Sequence, residues 1–126
     1  MKRDCLLVAL AVLLLTSCTK KNEVNVTNHN FDKEVEQQQN LVFTFDKDLV
    51  PDSLLNRWDT LPFIRFTPDV KGKFRWNTPK ELMFSPLAGF KASTDYSCEL
   101  QKQVLAYAPG PYSLSEKRFF NFQWHF

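Results

Sequence analysis

Residues 81–100 read ELMFSPLAGFKASTDYSCEL, and the fold turns on how that stretch is punctuated. Glu81-Leu82-Met83-Phe84 reads as a short strand that ends on an inward phenylalanine. Ser85-Pro86 stops it, because Pro86 has no N–H to give to a ladder. Phe90 is expected to fold back as a plug over one end of a sandwich, and Thr94 to hydrogen-bond locally and shape the turn. Tyr96 then opens a second strand, with its ring inside and its hydroxyl near the rim. The alternation that follows sends Tyr96, Cys98 and Leu100 one way and Ser97, Glu99 and Gln101 the other, and it is expected to run on to Val104.

The same grammar holds on either side. Leu41, Phe43 and Phe45 alternate with Val42, Thr44 and Asp46, the mark of a half-buried strand. Phe63-Ile64-Arg65-Phe66 is closed by Thr67-Pro68-Asp69, and Lys73-Phe74-Arg75-Trp76 by Asn77-Thr78-Pro79. Between the first two lies Asp52–Trp58, where an N-cap-like Asp52 after Pro51 suggests one helical turn. Beyond the breaker Ala108-Pro109-Gly110-Pro111, Phe120, Phe122, Trp124 and Phe126 alternate with Asn121, Gln123 and His125. Six or more short strands with a turn signal roughly every ten residues, and no long amphipathic helix, specify an all-β, Ig-like β-sandwich over 41–126. Twelve phenylalanines supply the buried area that such a domain needs.

The N-terminus follows another logic. Lys2 and Arg3 precede an unbroken apolar run from Leu6 to Leu15, too short to span a bilayer and shaped like a secretory signal peptide over 1–17. Leu15-Thr16-Ser17-Cys18 resembles the bacterial lipobox. The resemblance implies cleavage between Ser17 and Cys18, with lipid added to the Cys18 thiol. Several acyl chains, at about 0.8 kcal/mol per buried methylene, would hold the mature protein firmly in a membrane. With Cys5 lost and Cys18 acylated, Cys98 alone is left of three cysteines, so the domain has no internal disulfide to draw on. Residues 18–40 are rich in Asn, Gln, Lys and Glu and are expected to form a flexible polar tether, with only its C-terminal part available to the first strand. Thr19 in place of an aspartate favours the outer over the inner membrane of a bacterial cell envelope.

Taken together, Ile64–Gly72, Phe74-Arg75-Trp76, Glu81–Pro86 and Gly89–Leu100 resemble the N-terminal macroglobulin-type domain of bacterial α2-macroglobulin-like lipoproteins, those of Bacteroidetes in particular. The signature residues are Phe84, Pro86, Phe90, Thr94 and Tyr96, and their roles are architectural. The resemblance implies an endopeptidase inhibitor built from a series of macroglobulin domains with a bait region and, in many relatives, a Cys-x-x-Gln thioester. This sequence departs from that pattern. It has no bait segment, and although Gln101 lies three residues beyond Cys98, strand alternation sends the two to opposite faces. The aromatic run Phe119–Phe126 stops in mid-pattern, so a truncated or partial chain is expected.

Chemistry-bearing groups are sparse. His29 and His125 lie far apart in sequence, no second cysteine helps to make a metal site, and three glycines form no phosphate-binding loop. No catalytic residue, metal or cofactor is expected, and the protein is read as a non-enzyme. Lys and Arg number 16 against 14 Asp and Glu, scattered along the chain, so no nucleic-acid partner is expected. The pairs Arg65–Phe66 and Arg75–Trp76 read as cation out and ring in. Trp58 is expected either to cap one end of the sandwich or to form an exposed contact with a neighbouring domain. Ser53 and Thr60 sit in Asp-Ser/Thr-Leu triplets that resemble O-glycosylation sites of exported Bacteroidetes proteins. The expected partners are the membrane, through acyl chains on Cys18, and further macroglobulin domains or an envelope protein. The leading reading is the N-terminal piece of a lipid-anchored protease inhibitor. Its rival is a freestanding Ig-like binding or adhesion lipoprotein, and an enzyme's accessory domain carries the same signature.

Overall fold

The computed structural model describes residues 22–115 and 119–123, the side chains of 119 and 120 excepted. The signal peptide expected over 1–17, Cys18 and residues 124–126 lie outside the described residues. The strands in chain order are β1 (Glu23–Val24), β2 (Val26–His29), β3 (Leu41–Phe45), β4 (Trp58–Asp59), β5 (Ile64–Thr67), β6 (Gly72–Thr78), β7 (Glu81–Pro86), β8 (Asp95–Leu100), β9 (Ser113–Leu114) and β10 (Phe119–Gln123). A 3-10 turn spans Asp52–Leu54, capped by the Pro51 backbone rather than by the Asp52 side chain. A second, at Lys102–Leu105, replaces the strand continuation expected up to Val104.

The strands form two facing layers. One sheet has the order β2-β3-β7-β6-β4, the other β10-β8-β5, and β1 pairs in parallel with β9. Within the layers, β2-β3-β7-β6 opposed to β10-β8-β5 is the A-B-E-D over G-F-C arrangement of a constant-type immunoglobulin sandwich. The fold is therefore all-β and Ig-like. Period-two patterning explains the layers: Leu41, Phe43 and Phe45 on β3, Phe74 and Trp76 on β6, and Leu82 and Phe84 on β7 are all buried. From the other sheet Ile64, Phe66, Tyr96, Cys98, Leu100 and Phe122 meet them. Rings interlock across the gap, with Phe66 4.5 Å from Phe84 and Phe63 5.3 Å from Phe74 between centroids. Aromatic packing thus does the cross-linking that a disulfide performs in antibody domains.

The expected tether is corrected from Asn22 onward, because residues well before Leu41 already pair within the sandwich. β2 pairs antiparallel with β3, and Glu34 then forms a parallel bridge with Gln123 at the end of β10. Backbone bonds Val35 N–H to Gln123 O (2.9 Å) and Gln123 N–H to Lys33 O (2.8 Å) fix that second pairing. One segment therefore serves first one sheet and then the other. Its few apolar residues, Val24, Val26, Phe31 and Val35, are all buried. Phe31 sits between Phe43 of one sheet (5.5 Å) and Phe122 of the other (5.6 Å) and closes the side of the sandwich. The polar majority follows from edge position: an edge strand and its connections keep one side in water.

The strand directions also fix two ends. Asn22 lies at the end that carries the connections 46–63, 79–80 and 101–112, whereas Gln123, opposite Asp95, lies at the other.

Candidate functional site

The signature residues gather at the corner between β7 and β8. Phe84 is buried against Phe66 and Phe74, and Pro86, the last residue of β7, is buried opposite Gly72. Gly89 turns the chain with φ at +81°, and a Cβ there would lie 2.7 Å from the Gln37 carbonyl, so the position needs glycine. Phe90 follows as a buried plug, its ring 5.4 Å from Tyr96 and 5.1 Å from Phe122, while its N–H donates to Gln37 O at 2.9 Å. Thr94 Oγ1 donates to Ala92 O at 3.1 Å. Tyr96 is buried, and its hydroxyl oxygen accepts the Lys91 N–H at 2.8 Å. A tyrosine near the start of strand F, two residues before a cysteine and bonded back to the upstream backbone, is the tyrosine corner of Ig sandwiches. Phe90, Thr94 and Tyr96 thus hold the corner, while Phe84 and Pro86 pack in the strand that leads into it.

The groups with intrinsic reactivity are committed elsewhere. The Cys98 thiol is buried in the core opposite Phe66. Gln101, at the end of β8, donates from its side-chain amide to Glu99 O at 3.1 Å. His29 is half-buried, its Nδ1 2.6 Å from Phe31 O and its ring 4.8 Å from the Phe31 ring. Among the described residues no three or more His, Cys, Asp or Glu side chains gather where they could hold a metal ion. An open hollow over the outer face of the three-stranded sheet is lined by polar side chains that include Thr67, Asp95, Ser97, Asn121 and Gln123. Hydroxyls, amides, a carboxylate and the Lys33 amine there offer hydrogen bonds and charge for recognition.

Two electrostatic clamps secure the loops. Asp46 accepts from the Asn25 backbone (2.9 Å) and side chain (3.2 Å) and lies 3.6 Å from Lys47. Burial alone would raise its pKa, but the Asn25 hydrogen bonds and the Lys47 charge outweigh that and hold it below the usual value. Tyr107 donates to Asp59 Oδ2 at 3.0 Å, and burial together with that carboxylate raises its pKa.

Trp58 does not cap the sandwich. It lies on β4 at the edge of the five-stranded sheet, directly opposite Arg75, and is 46% exposed. Lys73 Nζ stands 4.2 Å and Arg75 Cζ 4.9 Å from its ring centroid, two cation–π contacts on the outer face. Sequence alternation placed Lys73 and Arg75 outward. It had no means of bringing Trp58 to them, because the partner lies across a connection whose path the pattern does not encode.

No protein-family model matches the chain, and no curated protein sequence matches it either. Solved structures do. L,D-transpeptidase 3 from Mycobacterium tuberculosis, in complex with a faropenem-derived adduct, is similar at TM-score 0.52 and 12% identity over 85% of this chain and 39% of that one. An LD transpeptidase in complex with imipenem gives TM-score 0.51 and 15% identity, over 80% of this chain and 39% of the other. A further L,D-transpeptidase from Mycobacterium tuberculosis H37Rv gives 0.50 and 13% over 79% and 39%. At such identities the likeness is one of fold alone: the chain is an Ig-like β-sandwich that spans 39% of the length of the transpeptidase it matches at TM-score 0.52.

Proposed function

We propose that this protein is a cell-envelope lipoprotein, acylated at Cys18, whose Ig-like sandwich acts by contact rather than by catalysis. The observation that carries the proposal is the commitment of its chemistry-bearing side chains to architecture. The Cys98 thiol is in the core, the Tyr96 hydroxyl holds a corner and His29 packs on Phe31. The described surface carries an aromatic and basic face and a polar hollow, which suit recognition. The lipobox-like Leu15-Thr16-Ser17-Cys18 supports the anchor. Sandwiches of this shape make up a minor share of the transpeptidases above, which supports the role of a module that accompanies other machinery.

The experiment is fractionation of cells that express the protein or its Cys18→Ala variant, with mass analysis of the mature N-terminus. The parent should sediment with membranes and carry acyl chains, and the variant should appear in the soluble fraction. An unacylated parent, or a variant that stays with the membrane, would overturn the anchor.

The narrower reading, an N-terminal module of an α2-macroglobulin-like endopeptidase inhibitor, is favoured by the Phe84-x-Pro86 and Thr94-x-Tyr96 signature. Its test is the genomic reading frame around this chain, which should encode further macroglobulin domains. An unrelated gene in that place would leave the freestanding binding module.

A further inference from the structure

We propose that the outer face of the five-stranded sheet, centred on Trp58, Lys73 and Arg75, docks on an anionic lipid surface, so that the sandwich lies against the membrane. The inference rests on the Cys18 acylation proposed above for proximity, and on the fold itself for the choice of face. Proximity comes from Asn22, whose carbonyl is already bonded to Ser113 N–H in the sandwich. Four residue steps separate it from Cys18, at most about 14 Å of extended chain. A coil running from Cys18 to Leu41 would have given an end-to-end distance on the order of 25 Å. A domain held this close stays within reach of the headgroups, and tilting about the Asn22 end brings a sheet face onto them.

The two sheet faces differ in charge and polarity. On the three-stranded sheet, Arg65 opposes Glu99, and Asp95 adds a second carboxylate among Ser, Thr, Asn and Gln neighbours. With Lys33 beside the same hollow, two cations meet two carboxylates there, so the described charges of that face balance. On the five-stranded sheet the register sets Trp58, Arg75, Met83 and Val42 in one outward row across four strands, with Lys73 beside it. Glu81, close to the row, accepts from Asn77, whose oxygen accepts from Arg75 Nε, and Asp59 beside Trp58 accepts from Tyr107. The two large apolar side chains left exposed among the described residues, Trp58 and Leu87, both adjoin this strand set. Leu87 is 77% exposed, and its N–H reaches Lys71 O just before β6. An indole seats at the depth of lipid headgroups, with an apolar body and a polar edge, while Lys and Arg reach the phosphates beside it.

The test uses the chain from Cys18 onward with Cys18→Ser, unlipidated, so that any binding comes from the protein surface. It is sedimented with vesicles of phosphatidylcholine alone or mixed with phosphatidylglycerol. The parent should bind the mixed vesicles, ignore the zwitterionic ones and release as salt is raised. Lys73→Gln with Arg75→Gln should lower the partition coefficient about 25-fold, roughly fivefold per cation. Trp58→Ala should lower it further, whereas Arg65→Gln on the other sheet should leave it unchanged. Equal partition of parent and double variant, or a parent that ignores anionic vesicles, overturns the docking face. The two proposals fail separately. Vesicle binding that depends on Lys73 and Arg75 stands even if Cys18→Ala stays with membranes in cells. Loss of vesicle binding leaves the acyl anchor intact.

Discussion

Replacing Phe31 by alanine distinguishes a tether from a fold. In a solvated linker the change would be nearly silent, because surface substitutions away from special features stay within about 0.5 kcal/mol. In the structure Phe31 is 5% exposed and bridges the sheets through Phe43 and Phe122. Removing a buried phenylalanine costs about 3–5 kcal/mol through lost transfer energy and the cavity left behind. The position lies at the side of the sandwich, where neighbours can close in partly, so the lower value of about 3 kcal/mol applies. Each edge-on ring pair makes up about 0.5–1.5 kcal/mol of that. For a domain of roughly this size, 3 kcal/mol lowers Tm by more than about 12 °C. Urea unfolding followed by far-UV circular dichroism should show the midpoint fall with the slope unchanged, while Asp32→Ala, at an exposed neighbour, leaves it in place. If Phe31→Ala behaves like Asp32→Ala, residues 22–40 do not belong to the sandwich and the reasoning is wrong.

Other expectations follow from the same packing. Tyr96→Phe keeps the ring but strands the Lys91 N–H, and should cost about 1–3 kcal/mol in the same urea assay. Gly72→Ala would set a Cβ 2.4 Å from the Ser85 carbonyl oxygen and 2.5 Å from the Phe84 ring. The β6–β7 ladder must shift to admit it, so a loss of about 1–3 kcal/mol is expected, and wild-type stability would refute the close approach. The depressed Asp46 pKa contributes stability that is present above the ordinary carboxylate range and is lost as pH falls through the folded-state value. Asp46→Asn should therefore flatten the acid limb of Tm against pH, and an unaltered limb would remove the Asn25 clamp from the account. Tyr107, raised by burial and by Asp59, acts on the alkaline side. Its contribution is complete below the unfolded tyrosine value and lost as pH rises through the folded one, so Tyr107→Phe should flatten the alkaline limb.

The long strands were legible because each buries one face against the opposite sheet, which writes period two into the sequence. Leu41-x-Phe43-x-Phe45 and Tyr96-x-Cys98-x-Leu100 are the clearest cases, and all six residues are buried. The segment from Asn22 to Asn40 was illegible for the converse reason. It belongs to sheet edges and changes partner midway, so it needs only Val24, Val26, Phe31 and Val35 as anchors, and its composition passes for a linker. The Val24-x-Val26 spacing was the one available hint. β4 and β9, two residues each, are defined by what lies across from them and carry no periodicity of their own. At the corner, Pro86, Thr94 and Tyr96 act through interactions local in sequence, whereas the need for glycine at position 89 arises from Gln37, distant in sequence. The Trp58 face required tertiary register.

The pairing of the first and last strands has a mechanical meaning. β1 runs parallel to β9, Glu34 bridges in parallel to Gln123, and the chain passes from one end of the sandwich to the other. Tension applied between a fixed N-terminus and the chain beyond Gln123 would run along these strands, across hydrogen bonds perpendicular to the pull. Such bonds share the load and rupture together instead of peeling one by one. We predict that single-molecule stretching from residue 18 to residue 126 will show one high-force event. Pulling from residue 18 to a handle in the 101–112 loop, at the same end as Asn22, should open the sandwich at lower force, and equal forces in the two geometries would rule the shear clamp out.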